Sequence, residues 1–429
     1  MSRRPRTRIL LLAPALLLGV LTGCSSGPEP TGAPTLTEVR ALLARHGAAL
    51  LAHSPKRFLV DVDTAAASKA FRARQAAEID NISDVPLQLW RYSATGADTN
   101  RTDLAAAARR YGAPALIVQV QLSYRLRGVD ALPDRHDLWW TFVRRDGHVY
   151  LAGDDDLAKT GSVSWRGPWD FGPVVVARGT SSLVLGHVAN ALQLTALADA
   201  VDAAIPAVDA VWGNEWNQHV AVLVPSGAKE FGALTGSATG YRDLDAVAIT
   251  SGIDAASGRP YGQRLVMDPA ALGTLAKTGR EIIVRHELTH LATAAATSRT
   301  TPRWLVEGFA EFVAERGTGQ PVTRAAAELR TELARGPVPS ALPADSAFNP
   351  GGTGPANLAA VYEQAWLACK LIAQRAGVDG LVRFYQEVGR AVLPTDYAVK
   401  LAVRDVLHET LHAFTAQWRT YLTAQLGQP

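Results

Sequence analysis

The spacing of apolar and polar positions changes along the chain, and this change predicts two domains. In residues 36–180, the segment LTEVRALLARHGAALLA has apolar positions near i, i+3, i+4 and i+7, which is the spacing of an amphipathic helix. A second helix is predicted in AASKAFRARQAAEIDNI, and strand-like segments follow it. In RRDGHVYLA, the pair Asp146-Gly147 predicts a hairpin turn. Helices followed by antiparallel strands favour an α+β domain with a curved sheet.

Residues 181–429 have a different pattern. A long alanine-rich stretch, SLVLGHVANALQLTALADAVDAAIPAVDAVWG, predicts a helix that is interrupted near Pro206, because proline removes a backbone hydrogen bond. Short strands are predicted in QHVAVLVP, AVAIT and RLVMDP, and the pattern from TLAKTGREIIVRHELTHLAT onward is almost entirely helical. We therefore expect a mostly helical second domain with a small mixed sheet.

The first 23 residues have the pattern of a secretory signal peptide, with a basic start, an apolar run and small residues before Cys24. The apolar run is shorter than the roughly 20 residues that a membrane-spanning helix needs. The ending LTGC resembles the lipobox of bacterial lipoproteins. This resemblance implies that Cys24 is acylated, with palmitate among the expected chains, and that a flexible tether over residues 24–35 follows it. The protein would then be anchored in the cell membrane, on the extracytoplasmic face. The alternative is a plain signal peptide that is cleaved nearby, with Cys24 incidental.

Charge and cysteine content narrow the range of partners. The first 23 residues carry four arginines and no acids, so their removal lowers the formal net charge from +3 to −1. Nucleic acid is therefore excluded as a partner on charge grounds. With Cys24 lipidated, Cys369 has no partner for an intramolecular disulfide, and its helical surroundings predict a buried, small apolar residue.

The segment EIIVRHELTH contains the pattern H-E-x-x-H. Residues four apart lie on one face of a helix, so His286 and His290 can direct two imidazoles at one ion. A hydrolytic zinc site takes three protein ligands and leaves one position for water, whose pKa falls toward about 7. Glu287 is the residue expected to accept the proton of that water. The other interpretation, an ordinary amphipathic helix packed through Val284 and Leu288, is compatible with the first if the histidines use the opposite face.

A second segment, TPRWLVEGFAEFVAER, begins 11 residues beyond His290. Together with H-E-x-x-H it resembles the gluzincin metallopeptidases, specifically the WLxEGxAE signature of the aminopeptidase-N-like families. The resemblance implies a zincin-like fold, Zn²⁺ as the cofactor, and Glu307 as the third zinc ligand. Glu311 occupies the position of a carboxylate that orients a ligating imidazole. Without this context, a Glu-x-x-x-Glu helix is more often a solvated face.

The same resemblance implies a donor for the oxyanion of the reaction. The segment AAVYEQAWLACKLIAQRAG looks like the family segment that carries it, which makes Tyr362 the catalytic candidate and Tyr385 the reserve. The alternative for Tyr362 is a helix-surface tyrosine that packs on Trp366. The exopeptidase motif GxMEN is absent, and AVAIT stands where it is expected, so the resemblance supports the zinc machinery and not aminopeptidase specificity. A strand at AVAIT could pair with an extended peptide.

Residues 36–180 carry no catalytic motif. Their order of elements, with VPLQLW, TFVRRDGHVYLAGD and PWDFGPV, is similar to the cone-shaped nuclear-transport-factor-like fold. His136 and His148 are predicted to be solvated residues at strand ends. In the second domain, His408 and His412 have helical i, i+4 spacing without a third ligand and are predicted to lie on the surface. The segment NPGGTGPAN, just before Tyr362, is either a lid or a plain linker.

Taken together, these patterns predict a lipid-anchored, extracytoplasmic zinc metallopeptidase that acts on a peptide or protein substrate. The rival hypothesis is a peptide-binding or scaffolding lipoprotein that retains the peptidase fold without turnover. A purely structural zinc is a weaker third hypothesis, because structural sites usually have four protein ligands. The substrate, the choice between endopeptidase and exopeptidase, the role of the first domain and the oligomeric state are left open.

Overall fold

A computed structural model describes residues 32–236, 245–349 and 357–427. The predicted signal peptide and Cys24 lie outside these residues, as do most of the predicted tether and the central part of NPGGTGPAN. The described chain begins with three helices, which are α1 (Leu36–Leu51), α2 (Pro55–Val60) and α3 (Lys69–Asn81). Helix α1 starts at a capping box, in which Thr35 and Glu38 satisfy each other's backbone N–H groups. The two predicted helices are thus present.

Four antiparallel strands follow and form the first sheet. They are β1 (Leu87–Ala97), β2 (Ala115–Leu126), β3 (Asp134–Arg145) and β4 (His148–Gly153), each paired with the next. An unpredicted helix, α4 (Arg101–Tyr111), connects β1 to β2. The predicted turn joins β3 to β4, and Asp146 and Gly147 both have the positive φ that a two-residue type I′ hairpin requires. The α+β character predicted for this part of the chain is confirmed.

A second sheet of five strands has the order β5-β6-β7-β11-β8. Its strands are β5 (Val175–Arg178), β6 (Ser182–Gly186), β7 (Val220–Leu223), β8 (Ala246–Ile249) and β11 (Arg264–Met267). Between β8 and β11, the short strands β9 (Gly252–Ile253) and β10 (Pro260–Tyr261) form a separate two-stranded sheet. Strands β6, β7 and β11 run parallel, whereas β5 and β8 are antiparallel to their neighbours. The sheet is mixed, as predicted. Strand β5 comes from PVVVAR, before the boundary drawn at residue 181, and that boundary stays a prediction.

The remaining long elements of the described chain are helices. Its helices are α5 (Ala191–Trp212), α6 (Ala228–Thr235), α7 (Pro269–Thr274), α8 (Lys277–Thr293), α9 (Arg303–Glu315), α10 (Val322–Ala325), α11 (Ala327–Leu333), α12 (Leu358–Arg390), α13 (Thr395–Leu407) and α14 (Leu411–Leu426). The predicted interruption near Pro206 is wrong, because α5 continues through it. Pro206 lies on the exposed face, while the neighbouring Ile205 and Val208 are buried in the core. Their burial outweighs the one hydrogen bond that proline cannot donate.

The second sheet has a hydrophobic core on each face, because successive residues of a strand point to opposite sides. Val184, Val222 and Leu265 pack with the helices of the second domain. Leu185 and Leu223 lie in a core that they share with the helices and strands of the first domain. The two predicted domains are therefore joined by a continuous apolar contact.

A buried ion pair crosses the same junction. Arg264, the first residue of β11, is 3% exposed and donates to both carboxylate oxygens of Asp130, at 2.6 and 2.9 Å. Its Nη2 also lies 3.5 Å from Oδ2 of Asp134, which accepts a hydrogen bond from Tyr124. Nearby, Arg135 of β3 pairs with Asp254, which follows β9. The junction is thus both apolar and charged.

Three sequence predictions about single residues have different outcomes. His136 is not a solvated strand-end residue: its ring stacks on Trp165 at 3.7 Å, and its Nε2 lies 3.0 Å from Asp134. His148 is exposed, as expected. Cys369 is fully buried, and burial raises the pKa of its thiol well above the ordinary value, which confirms the prediction of a small apolar core residue.

In the described ranges, none of the helices combines the length and apolarity that crossing a membrane demands.

Candidate metal centre

Helix α8 presents the H-E-x-x-H motif on a well-anchored scaffold. Val284 and Leu288 are fully buried in the core of the second domain, so they hold one face of the helix in place. The side chains of His286 and His290 are 12% and 20% exposed and line a cavity on the other side. The two interpretations of this segment therefore hold together, on opposite faces of one helix.

Helix α9 brings Glu307 to the two histidines. Trp304 and Leu305 are buried, and Gly308 packs directly against the backbone of α12. A Cβ atom at Gly308 would lie 2.3 Å from the carbonyl oxygen of Ala365, so only glycine permits this approach. This close packing of two helices determines the position of the carboxylate one residue earlier.

Three potential ligand atoms converge at one point. The Nε2 atoms of His286 and His290 lie 3.0 Å apart, and Oε2 of Glu307 lies 3.4 and 3.3 Å from them. Tetrahedral zinc, with ligands at about 2.0–2.2 Å, separates its ligand atoms by about 3.3 Å. The donor set and its spacing therefore fit zinc. Within residues 32–236, 245–349 and 357–427, this is the one group of three His, Cys, Asp or Glu residues that comes together in this way.

Glu311 orients one of these imidazoles. Its Oε1 lies 3.2 Å from Nδ1 of His286, one turn further along α9 than Glu307. A carboxylate that accepts the Nδ1 proton leaves the Nε2 lone pair directed at the metal position. The structure thus brings Glu311 to the place that the sequence resemblance implied for it.

The electrostatics of the cluster suit a cation. Burial lowers the pKa of His286, but the charge of Glu311 and hydrogen bonds to Glu307 and Glu311 outweigh it and raise the pKa well above the ordinary value. Burial raises the pKa of Glu307, yet His290 and hydrogen bonds from both imidazoles bring it well below the ordinary value. A metal ion held by His286, His290 and Glu307 would take the place of the Nε2 protons in this pairing, with the Nδ1 proton of His286 kept by Glu311.

Glu287 is oriented by the edge of the second sheet. The backbone N–H of Ala248, in β8, donates to Oε2 of Glu287 at 2.6 Å. Glu287 itself is 8% exposed and lines the same cavity as the two histidines. One carboxylate oxygen is therefore held by the strand, in the cavity that the two histidines and Glu307 line.

The cavity has a volume of about 620 Å³, and one wall is β8. This strand pairs with β11 on one side, and in the described part of the chain no strand pairs with its other side. Val247, Ala248 and Thr250 lie along that wall. The Ala248 N–H of this edge donates to Glu287, and the remaining backbone groups of such an edge can form hydrogen bonds with an extended peptide.

Of the two tyrosines considered from the sequence, the structure brings one to the cavity. Tyr362 lines it, with its ring centroid 6.2 Å from that of His286 and 5.4 Å from that of Phe348. Burial, with the charges of Glu307 and Glu287, raises the pKa of Tyr362 well above the ordinary value, so the hydroxyl keeps its proton at neutral pH. Tyr385 is fully buried and bonds to Thr297 at 2.7 Å, and it is not among the lining residues.

Two charged lining residues lie outside the H-E-x-x-H and WLxEGxAE motifs. Arg303 begins α9, four residues before Glu307, and Asp245 immediately precedes β8. Arg303 lies four residues before Glu307, and this helical spacing was a usable signal in the sequence. The position of Asp245 depends instead on how β8 packs beside α8, which the sequence does not show. His408 and His412 are exposed and lie outside the cavity, as predicted.

Comparison with solved structures finds zinc metallopeptidases of the M1 family at low identity. An M1 zinc metallopeptidase from Deinococcus radiodurans is 14% identical, with a TM-score of 0.34, over 67% of this chain and 60% of that one. A yeast LTA4 hydrolase is 12% identical, with a TM-score of 0.38, over 67% of this chain and 44% of that one. This chain thus spans less than two thirds of either protein.

A structure of the Deinococcus radiodurans enzyme bound to a Tyr-Ser-Ala substrate is 12% identical, with a TM-score of 0.36, over 74% of this chain and 92% of that one. No model of a known protein family matches the sequence, and no curated protein matches it. A function for this chain therefore has to rest on the geometry of its own site.

Proposed function

We propose that this protein is a zinc-dependent peptidase. The observation that carries the proposal is the convergence of His286, His290 and Glu307 at 3.0–3.4 Å in a cavity that also contains Glu287 and Tyr362. Three protein ligands leave one position of a tetrahedral zinc open, which is typical of a catalytic site and not of a structural one. Zinc bound there supplies a Lewis acid that polarises the substrate carbonyl and lowers the pKa of water.

Three residues of the chain have the remaining catalytic and positioning roles. Glu287, held through Oε2 by the Ala248 amide, takes the proton of the attacking water on its carboxylate and passes it to the leaving amine. Tyr362 donates a hydrogen bond from its hydroxyl to the negative charge that develops on the carbonyl oxygen. Glu311 keeps the His286 ring in its ligating orientation.

The edge strand β8 is the proposed binding surface for the substrate backbone. A peptide that lies along β8 as an additional strand has its carbonyl groups beside the zinc ligands, because the Ala248 amide of the same strand already contacts Glu287. This arrangement favours an extended peptide or an unfolded segment of a protein. It does not require a free amino terminus, in keeping with the absence of the GxMEN motif.

The test is metal analysis combined with cleavage of a peptide library, for the wild type and for Glu287→Gln. The proposal predicts about one zinc per chain in both proteins and cleavage by the wild type alone. Bound zinc without cleavage of any peptide or protein by the wild type would favour a peptide-binding lipoprotein. The absence of zinc from both proteins would refute the proposal.

We also propose that the protein is anchored in the cell membrane through an acylated Cys24, with its domains on the extracytoplasmic face. The support is the signal-like start of the sequence and its LTGC ending. Metabolic labelling with palmitate and membrane fractionation test it. The wild type is expected in the membrane fraction and labelled, and Cys24→Ala unlabelled and released. An unlabelled wild type would contradict the anchor.

The assignment of residues 36–180 to a cone-shaped, nuclear-transport-factor-like domain and of residues 181–429 to the peptidase domain is likewise a proposal. Its support is the four-stranded sheet, which begins with β1 and shares one hydrophobic core with helix α1. The shared core at β6 and β7 favours a fixed junction between the two domains.

A further inference from the structure

Arg303 is placed beside the catalytic cluster by the geometry of α9. It lies one turn before Glu307, and Glu311 lies one turn after it, so the three side chains form a stripe on one face of the helix. All three line the cavity. Arg303 is also adjacent to Tyr362 through a common neighbour, because its Nη1 approaches the carbonyl oxygen of Phe348, whose ring packs against Tyr362.

The partners of this guanidinium are neutral. Nη1 donates to the side-chain oxygen of Asn349 at 2.8 Å and to the carbonyl oxygen of Phe348 at 3.4 Å. Among residues 32–236, 245–349 and 357–427, no carboxylate forms an ion pair with Arg303. No hydrogen bond within those ranges uses its Nε or Nη2. These two atoms are the side-on pair of donors that a carboxylate takes up in bidentate fashion.

The acids of the cavity do not supply this missing partner. Glu307 pairs with the two imidazoles, Glu311 pairs with His286, and Glu287 accepts a hydrogen bond from Ala248. The fourth acid, Asp245, forms no ion pair with Arg303 in the described part of the chain. Apart from the histidines, Arg303 is the one basic residue among those described that line the cavity. Because no carboxylate of the described residues pairs with the Arg303 side chain, its guanidinium is available to a negatively charged group of the ligand.

We infer that Arg303 is a specificity-determining residue that binds a carboxylate of the substrate near the scissile bond. This inference rests on the proposed peptidase function and adds a substrate class to it: peptides with an acidic side chain, or a free carboxyl terminus, close to the cleaved bond. Both sources present the same group, and a planar guanidinium held at Nη1 is preorganised to receive it.

The first experiment compares kcat/KM for matched peptides. One series replaces Glu by Gln at each position next to the cleavage site, and the other replaces a free carboxyl terminus by an amide. The wild type is expected to prefer the carboxylate peptide by about tenfold or more in one of the two series, which also identifies the source. In Arg303→Gln the preference falls to near one, and in Arg303→Glu it reverses.

Arg299→Gln is the matched control, because Arg299 is exposed and does not line the cavity. It is expected to keep the preference of the wild type. Equal kcat/KM values for carboxylate and amide peptides in the wild type, with cleavage of both, would overturn the inference and leave the peptidase proposal intact. A preference that survives in Arg303→Glu would also overturn it.

A binding measurement separates the inference from turnover. In the Glu287→Gln background, fluorescence anisotropy gives the affinity for a labelled carboxylate peptide and for its amide counterpart without cleavage. The inference predicts about tenfold weaker binding of the carboxylate peptide after Arg303→Gln is added, and a smaller change for the amide peptide. Equal losses for both peptides would indicate a structural role and would refute it.

Discussion

Glu311 illustrates how much a single side chain outside the ligand set contributes at this site. It is not one of the three proposed zinc ligands. Its Oε1 lies 3.2 Å from Nδ1 of His286, however, and so determines which nitrogen of that ring is available to bind a metal ion. The proposal that zinc occupies the site therefore makes a prediction about Glu311 as well as about the three ligands.

Glu311→Gln is expected to weaken zinc binding by about 10- to 100-fold, because the amide keeps the shape of the side chain but not the charge that supports the imidazole. Competition with a zinc-sensitive dye gives the affinity. Glu315→Gln, one turn further along α9 and outside the cavity, is the matched control and should bind zinc as the wild type does. Equal affinities in all three proteins would refute the role of Glu311.

In the first domain, Glu78 makes stability depend on pH. Burial raises the pKa of Glu78 to about 8, and the charge of Asp170 adds to the effect. The folded protein thus holds a proton that the unfolded chain releases near pH 4.5. Because the folded state binds more protons between these two values, stability is fully present below pH 4.5 and declines as the pH rises toward 8.

Glu78→Gln keeps the hydrogen bond from Gln75 and removes this titration. The variant should match the wild type below pH 4.5 and exceed it at pH 8 by on the order of a few kcal/mol. Urea unfolding at pH 4, 6 and 8 measures the difference. Glu215→Gln, at an exposed position, should follow the wild type throughout. A constant difference between Glu78→Gln and the wild type at the three pH values would contradict the assignment.

At the scale of elements, the contact between α9 and α12 positions the third ligand. Gly308→Ala adds a methyl group 2.3 Å from the backbone oxygen of Ala365. Because the clash is with backbone and not with a flexible side chain, the two helices have to move apart to relieve it. We expect a loss of about 1–3 kcal/mol in the free energy of unfolding. We also expect weaker zinc binding, since Glu307 moves with the helix.

Gly279→Ala is the matched control, because a Cβ there meets only the Leu275 side chain at an ordinary 3.5 Å. In a helix this change should be neutral or stabilising by up to about 1 kcal/mol. Chemical unfolding and zinc titration of both variants test the pair. Wild-type zinc affinity in a stably folded Gly308→Ala would show that the helix contact does not position Glu307.

The elements also show what the sequence alone can predict. Local spacing was sufficient for α1, α3, the β3–β4 turn and the exposed positions of His408 and His412, since each depends on neighbouring residues. The H-E-x-x-H and WLxEGxAE patterns led to residues that the structure brings within 3.0–3.4 Å, although they lie on two helices.

Features that depend on contacts distant in the chain were missed. Pro206 was expected to interrupt α5, but burial of the neighbouring Ile205 and Val208 maintains the helix. His136 was expected in solvent, but Trp165, far along the chain, covers it. Arg303 is not part of a motif, and its place at the cavity is recognised only once α9 packs beside the other elements that line it. In each case tertiary packing decides what a local pattern cannot.

At the scale of the whole molecule, the pair Arg264–Asp130 joins the two predicted domains in a buried position, with side chains 4% and 5% exposed. Arg264→Met leaves Asp130 without its cation and removes one of the partners of Asp134. Because an unpaired buried charge is strongly unfavourable, we expect a loss of about 3–5 kcal/mol in the free energy of unfolding. Replacing Asp130 by leucine in the same protein should recover part of the loss.

Urea denaturation provides the measurement, with Arg383→Met as the control. Arg383 is exposed and pairs with Glu387 at i,i+4, and it also donates to the carbonyl oxygen of Asp405. Loss of these exposed contacts should change stability by less than about 1 kcal/mol. A similarly small effect of Arg264→Met would mean that the charged part of the junction is dispensable and that the apolar core alone joins the domains.

The most direct test of the central claim is a zinc titration of the metal-free protein, with cleavage of a susceptible library peptide as the readout. The account predicts that activity rises linearly and saturates at about one zinc per chain, and that a His290→Ala variant shows no such rise. Saturating zinc that restores no cleavage in the wild type, or equal cleavage before and after zinc is added, would contradict it.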